Sequence, residues 1–123
     1  MALLLVVEDD EDIRETVTDL LRDQGYDVEA AEDGRVALSR LQGGLRPDLI
    51  LLDRTMPVMD GAAFRKEQLA DPRLSTIPVV LMTAANAIES LVAEMRPDHV
   101  LKKPMSFDDL LSTLVRALPA QPL

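Results

Sequence analysis

The apolar residues of this chain change period repeatedly, and that alternation limits the fold more than any single residue does. Ala2-Leu3-Leu4-Leu5-Val6-Val7 is an unbroken apolar run bounded by acids, the pattern of a strand buried on both faces. Ile13, Val17, Leu20 and Leu21 follow at helical spacing, with Gly25 placed as a C-terminal stop. Asp27-Val28-Glu29-Ala30-Ala31 alternates as a weaker strand, and Val36, Ala37, Leu38 and Leu41 make a short helix ending at Gly43-Gly44. Leu49-Ile50-Leu51-Leu52 is a second solid run, entered through Arg46-Pro47-Asp48 and stopped by Asp53. A helix over residues 61–70 is expected to bury Ala63, Phe64 and Leu69. Ile77-Pro78-Val79-Val80-Leu81-Met82 reads as a third buried strand, with Pro78 at its entrance, where a missing N–H does least harm. Ile88, Leu91, Val92 and Met95 form a helix that Pro97 terminates, and His99-Val100-Leu101 is a short last strand. Phe107, Leu110, Leu111, Leu114, Val115 and Leu118 give an amphipathic final helix. Strand and helix in strict alternation predict an α/β fold with a parallel sheet covered on both faces.

Composition narrows the function. The length of 123 residues suits one domain, expected over residues 1–118 with 119–123 as a tail. Thirteen basic against 22 acidic residues give a net charge of −9, which repels nucleic-acid backbones and anionic lipid and argues against direct binding to either. Cysteine is absent, so a disulfide scaffold, a thiolate metal site and a thiol nucleophile are excluded. The first apolar run is too short to cross a bilayer or serve as a signal peptide, and a cytoplasmic location is expected.

In an open parallel sheet, ligands sit at the carboxyl ends of the strands. Reading outward from those ends gives Glu8-Asp9-Asp10, then Asp53, Thr83, and Lys102-Lys103-Pro104. Acids, a hydroxyl and an ammonium therefore converge on one rim. Two carboxylates about 5 Å apart repel by roughly 3 kcal/mol at an effective dielectric near 20, so such a cluster calls for a cation or a proton. Oxygen ligands without His or Cys select a hard divalent ion, and Mg²⁺ fits best. With it in place, a strand-tip carboxylate becomes a nucleophile towards phosphorus. Acids at the start of a helix also serve as N-caps, and Glu8, Asp9 and Asp10 taken alone fit that plainer role. Asp53 does not, because a charge directly after four core aliphatics gains nothing from packing.

The sequence as a whole resembles the receiver domain of two-component response regulators. The motifs that carry the resemblance are Leu4-Leu5-Val6-Val7-Glu8-Asp9-Asp10, Asp48-Leu49-Ile50-Leu51-Leu52-Asp53, Met56-Pro57-Val58-Met59-Asp60-Gly61, Pro78-Val79-Val80-Leu81-Met82-Thr83-Ala84 and Lys103-Pro104. The resemblance implies a flavodoxin-like doubly wound fold with five parallel strands in order 2-1-3-4-5. It implies that Asp53 is the phosphoacceptor and that Mg²⁺ is held by Glu8, Asp9, Asp53 and the backbone carbonyl of Thr55, with Asp9 the direct ligand of the two paired acids. It places Thr83, Ala84 and Lys103 at the phosphoryl group as switch and binding positions. Pro104 matches the proline after the lysine, often reached through a cis peptide bond. Met56, Pro57 and Gly61 are then structural: Gly61 and Pro57 shape the turn, each by relieving or fixing a φ angle, while Met56 and Met59 plug the edge of the core.

The partners implied are a histidine kinase or histidine phosphotransfer protein and an unknown output protein, with a homodimer also allowed. The implied activity is phosphoryl acceptance and slow self-dephosphorylation, not multiple-turnover catalysis. Several positions depart from the family pattern. Val100, beside His99, replaces the switch aromatic, so a receiver-like interaction module with phosphate-independent switching is an alternative. Arg96-Pro97 stands where Gly-Ala is usual, and the segment from Thr83 to Lys103 is short, which predicts a short or displaced fourth helix. Met105 replaces an aromatic as a packing change. Ala85 is small and leaves water a path to the acyl phosphate. A Mg²⁺-dependent aspartyl-phosphate phosphatase is the remaining alternative; such enzymes carry a second acid where this chain has Thr55.

Overall fold

Each solid apolar run is a strand of one sheet, and each stretch at helical spacing is a helix laid over it. The structure, a computed structural model, describes residues 2–54, 56, 58–84 and 88–118, and at residues 88, 89 and 91 the backbone alone. Thr55, Pro57, Ala85, the tail 119–123 and the side chains of Ile88 and Leu91 thus lie outside the described residues. The elements run β1 (Leu3–Val7), α1 (Glu11–Asp23), β2 (Asp27–Ala31), α2 (Gly34–Gln42), β3 (Leu49–Asp53), α3 (Gly61–Ala70), β4 (Val79–Ala84), α4 (Ile88–Met95), β5 (His99–Lys103) and α5 (Phe107–Ala117). All neighbours pair in parallel, in the order β2-β1-β3-β4-β5. Within the described residues α4 has eight residues, Ile88–Met95. Among the described residues no helix is long and apolar enough to cross a membrane.

Strand side chains alternate between faces, and the core divides accordingly. Leu5, Val7, Ile50, Leu52, Val79 and Leu81 pack with Leu38 and Leu41 of α2, Phe64 of α3 and Met95 of α4. Leu4, Val6, Leu49, Leu51, Val80, Met82 and Leu101 pack with Val17 and Leu21 of α1 and Leu110 and Leu114 of α5. Short polar side chains start the helices: Asp10, Asp33, Asp60 and Ser106 each accept from the N–H three residues on. Gly25, just past α1, takes a φ of 94°, as its stop position required.

Four expectations need correction. β4 begins at Val79, because Ile77 donates its N–H to Leu74 in the preceding turn, and it runs on through Thr83 and Ala84. β5 continues past Leu101 to Lys103, so the lysine sits in the sheet itself. In α3 the inward positions are Gly61, Phe64, Arg65 and Gln68, while Ala63 is exposed and Leu69 only partly buried. Ile13, Val92 and Val115, counted in the apolar patterns of α1, α4 and α5, are also exposed.

The buried polar pair of α3 is fully employed. Arg65 donates from Nε to Met95 O (2.9 Å), from Nη1 to Gln68 Oε1 (2.8 Å) and from Nη2 to Arg96 O (2.8 Å). Gln68 Nε2 in turn donates to Leu74 O (2.9 Å) and Ile77 O (3.0 Å). One guanidinium thereby satisfies carbonyls at the end of α4 that a helix leaves without partners. The Arg96-Pro97 departure also has a local account, because Arg-Pro-Asp occurs before both β3 and β5. Asp48 Oδ2 accepts from Leu3 N (2.8 Å) and Asp98 Oδ2 from Val79 N (2.7 Å), so each Asp fastens its strand to the start of the neighbouring one.

Candidate functional site

Register brings the predicted site residues to one end of the sheet. Val7 pairs with Leu52, which sets Glu8 level with Asp53 at the tips of β1 and β3. Asp53 pairs with Met82, and Thr83 and Ala84 extend one and two rungs further, level with Lys102 and Lys103. Alternation puts Glu8 on the side of Val6, Asp53 on that of Leu51 and Lys103 on that of Leu101, all facing α1 and α5. Lys103 Nζ lies 3.0 Å from Asp53 Oδ1 and 3.3 Å from Glu8 Oε1. Glu8, Asp9 and Asp53 each offer a carboxylate oxygen within 4.8 Å of the others. Glu8 and Asp53 are buried and Asp9 is exposed.

The plain capping role falls to Asp10 alone, whose Oδ1 accepts from Ile13 N at 3.1 Å. Glu8 and Asp9 are left for other work. Thr83 is buried, and by alternation it stands on the same side as Val79 and Leu81, across the strand from the acids. The structure thus brings Glu8, Asp9, Asp53 and Lys103 into one cluster, with Thr83 and Ala84 on the next rungs.

Three acids and one ammonium leave an excess of negative charge. Burial, then the adjacent Asp53 carboxylate, pushes the Glu8 carboxyl up to about 8, and Lys103 offsets only part of this. Burial lowers the Lys103 ammonium, but its contacts with Asp53 and Glu8 outweigh it and the net direction is upward. Glu8 Oε2 is buried and has no hydrogen-bond partner among the described residues. A buried carboxylate oxygen without a donor, in an oxygen-only cluster, suits a hard divalent cation. The residues present fit Mg²⁺.

The loop around Asp53 is held by close approach. Gly61 N donates to Arg54 O at 2.9 Å. A Cβ at Gly61 would meet Asp53 O at 2.6 Å and Arg54 Cα at 3.0 Å. Contact therefore explains this glycine, correcting the expectation that it relieves a φ angle; the left-handed φ of the loop, 67°, belongs to Val58. Met56 is buried and Met59 packs on the core edge, as expected. The Lys103–Pro104 bond is cis. Val100 and His99 are half-buried at the outer strand, and Met105 packs against the α1–α5 core. Arg14 was not foreseen: its Nη1 donates to Glu8 O at 2.9 Å and Asp9 O at 3.4 Å. The only sequence signal was a base six residues after Glu8, on a helix that otherwise opens with acids.

Known proteins share this chain's sequence pattern and fold. The family described as response regulator receiver domain matches residues 4–115. Regulatory protein AtoC of Escherichia coli K12 is 35% identical over 121 residues, covering 96% of this chain and 25% of AtoC. The chain spans about a quarter to a half of the length of the curated relatives it matches. The chemotaxis response regulator CheY4 of Vibrio cholerae has a similar structure, with a TM-score of 0.88, 37% identity and coverage of 96% of this chain and 99% of CheY4. Response regulator TrrA of Thermotoga maritima, solved in complex with Mg²⁺-BeF, has a TM-score of 0.82, 29% identity and coverage of 94% and 98%. The order of the sheet, the acids at its rim and these matches together make the chain a member of the response regulator receiver domain family of two-component systems.

Proposed function

We propose that Asp53 accepts a phosphoryl group from the phosphohistidine of a histidine kinase or histidine phosphotransfer protein, in the cytoplasm. The observation that carries this reading is the strand-tip carboxylate of Asp53, 3.0 Å from Lys103 Nζ and within 4.8 Å of two further acids. Glu8, Asp9, Asp53 and the Thr55 carbonyl would hold Mg²⁺, which neutralises charge on the oxygens of the group in transfer. Lys103 engages Asp53 Oδ1 and leaves Oδ2 to attack phosphorus. The P–N bond then breaks, and the imidazole leaves with its electron pair. Lys103 stays to pair with the new phosphoryl oxygens, while Thr83, one rung on and across the strand from the acids, and the Ala84 backbone, two rungs on, would turn to hydrogen-bond them.

The aspartyl phosphate adds about −1.5 to −2 of charge to the rim. That charge favours packings that bring Thr83 and Lys103 onto it, and so biases the β4–α5 side towards a different partner. An apolar groove of about 590 Å³, lined by Ile13, Val17, Leu20, Met105, Phe107 and Leu110, reaches Lys103, which pairs with the acceptor. A donor domain seated there carries its phosphohistidine to Asp53. Asp53→Asn is expected to fold and take no label from a small-molecule phosphodonor, and stoichiometric labelling would overturn the assignment.

A second reading rests on Val100, which cannot swing a ring between buried and exposed positions. In that reading the rim binds Mg²⁺ and phosphate without moving the output face. Amide shifts on adding beryllofluoride separate the two: shifts reaching α4 and α5 support switching, and shifts confined to the rim support the module.

A further inference from the structure

We infer that Arg14 is a positioning residue for the metal-holding acids, tying the carbonyls of Glu8 and Asp9 to α1 so that both carboxylates face Asp53. The inference rests on the proposed role of those acids. β1 ends at Val7, and Glu8 makes the last rung to β2 through its N–H, donated to Ala31 O at 3.1 Å. Beyond that rung the sheet no longer fixes the chain. The turn that follows carries Glu8, Asp9 and Asp10, three like charges that push one another apart.

Arg14 closes this turn from the helix side. Its Nη1 donates to Glu8 O at 2.9 Å and, at a longer 3.4 Å, to Asp9 O, while its own N–H donates to Asp10 O at 2.8 Å. The peptide unit of Glu8 is thus pinned on both sides, by Ala31 through its N–H and by Arg14 through its C=O. Both carboxylates stay clear of the tether. Among the described residues Arg14 makes no ion pair, although five acids stand in a row at residues 8–12 of a chain with net charge −9. An arginine that gives its hydrogen bonds to two carbonyls amid so many carboxylates is shaping backbone. It adds positive charge behind the acids without occupying the oxygens a cation needs.

This makes the sign of the effect diagnostic. If Arg14 acted only as a charge, removing it would strengthen Mg²⁺ binding, because like charges repel. If it only held α1 to the sheet, its loss would lower the urea midpoint and leave Mg²⁺ affinity alone. As a positioning residue, its loss weakens Mg²⁺ binding, by about tenfold, the lower end of what outer partners of metal ligands contribute. The experiment titrates Mg²⁺ alone into the full chain and its Arg14→Gln variant, following the amide resonances of Glu8, Asp9 and Asp53. Urea melts of both run in parallel. An affinity for Mg²⁺ equal to or tighter than that of the unaltered chain overturns the inference. Arg14→Lys keeps the charge, but its Nζ ends one bond short of the place Nη1 holds between the two carbonyls; it carries the same comparison should the Gln variant not fold, with a weakening of at least about threefold expected and an unchanged affinity equally fatal. Absence of Mg²⁺ binding by the unaltered chain would instead bring down the proposed function itself, and the inference with it.

Discussion

Two of the polar clusters buried among the described residues are built on opposite principles. Arg65 and Gln68 of α3 spend their donors on Met95, Arg96, Leu74 and Ile77 carbonyls and on each other. Glu8, Asp53 and Lys103 at the rim leave Glu8 Oε2 without a partner among the described residues, with an excess of negative charge beside it. A satisfied network can be buried at little cost and then holds segments in place. An unsatisfied one costs folding free energy and is retained where something else completes it. The first cluster is finished by the chain alone. The second is left open to a ligand such as the proposed cation.

The sharpest way to break that contrast is to remove each cluster's charge and compare stability. Arg65→Met would strand two backbone carbonyls and the Gln68 carbonyl in a buried place. At about 1–3 kcal/mol for each orphaned group, partly relieved by water, the loss should reach roughly 3–5 kcal/mol. Urea denaturation of the variant measures it. A loss below about 1 kcal/mol would mean that the Arg65 network is ornamental and that satisfaction does not distinguish the two clusters.

How much of this was legible beforehand follows the same division. The solid runs Ala2–Val7, Leu49–Leu52 and Ile77–Met82 announced a buried parallel sheet because strands covered on both faces have nowhere for polar residues. The site was legible for the complementary reason: Glu8, Asp53 and Lys103 interrupt that rule at strand tips. The Arg65 network was not legible. Its two side chains lie on the buried helical stripe of Gly61, Phe64, Arg65 and Gln68, but apolar periodicity passes over an arginine and a glutamine. Their partners are backbone carbonyls up to 31 residues away, which carry no sequence signal at all. Gly61 was noticed for its residue type, yet its cause is a contact with Asp53 O that only the packed loop reveals.

That glycine offers the next test, since it joins the rim to the body of the fold. Gly61→Ala forces a methyl to 2.6 Å from Asp53 O, and the opposing atom is backbone that cannot step aside. Overpacking of this kind costs roughly 1–3 kcal/mol. Because the displaced atom belongs to Asp53, the variant should also bind Mg²⁺ more weakly, which a calorimetric titration reads. A loss of stability with unaltered Mg²⁺ affinity would show that the rim is less tightly tied to this loop than the contact implies.

Acid titration probes the unsatisfied cluster directly. In the metal-free fold the Glu8 carboxyl is pushed up to about 8, from the ordinary carboxylate value of 4.5. Between those two values the folded chain holds a proton that the unfolded chain has released, so stability should fall as pH rises through that window. The slope for one proton is at most about 1.4 kcal/mol per pH unit. Lys103, shifted upward, keeps its contribution throughout this range and does not alter the sign. Mg²⁺ competes with the proton, so its affinity should rise with pH over the same window and flatten the fall. Urea midpoints at several pH values, with chelator and with Mg²⁺, decide the matter: parallel slopes would mean that Glu8 does not face the cation.

The smallest expected effect is the most telling, because it reverses the Arg65 result. Asp53→Asn removes a buried charge yet should change stability by less than about 1 kcal/mol in the absence of Mg²⁺. What is lost is an ion pair with Lys103, whose side chain is 28% exposed and screened by water. What is relieved is the repulsion between Asp53 and Glu8, and Lys103 keeps Glu8 as a partner at 3.3 Å. The Glu8 carboxyl should then move down towards its ordinary range without reaching it, since burial is the larger cause of its displacement and remains. Carboxyl carbon shifts followed through a pH titration report that movement. A Glu8 that stays at its former value would show that Asp53 exerts no pressure on it, and the rim would then be a buried acid beside an ion pair, with no shared charge for a cation to resolve.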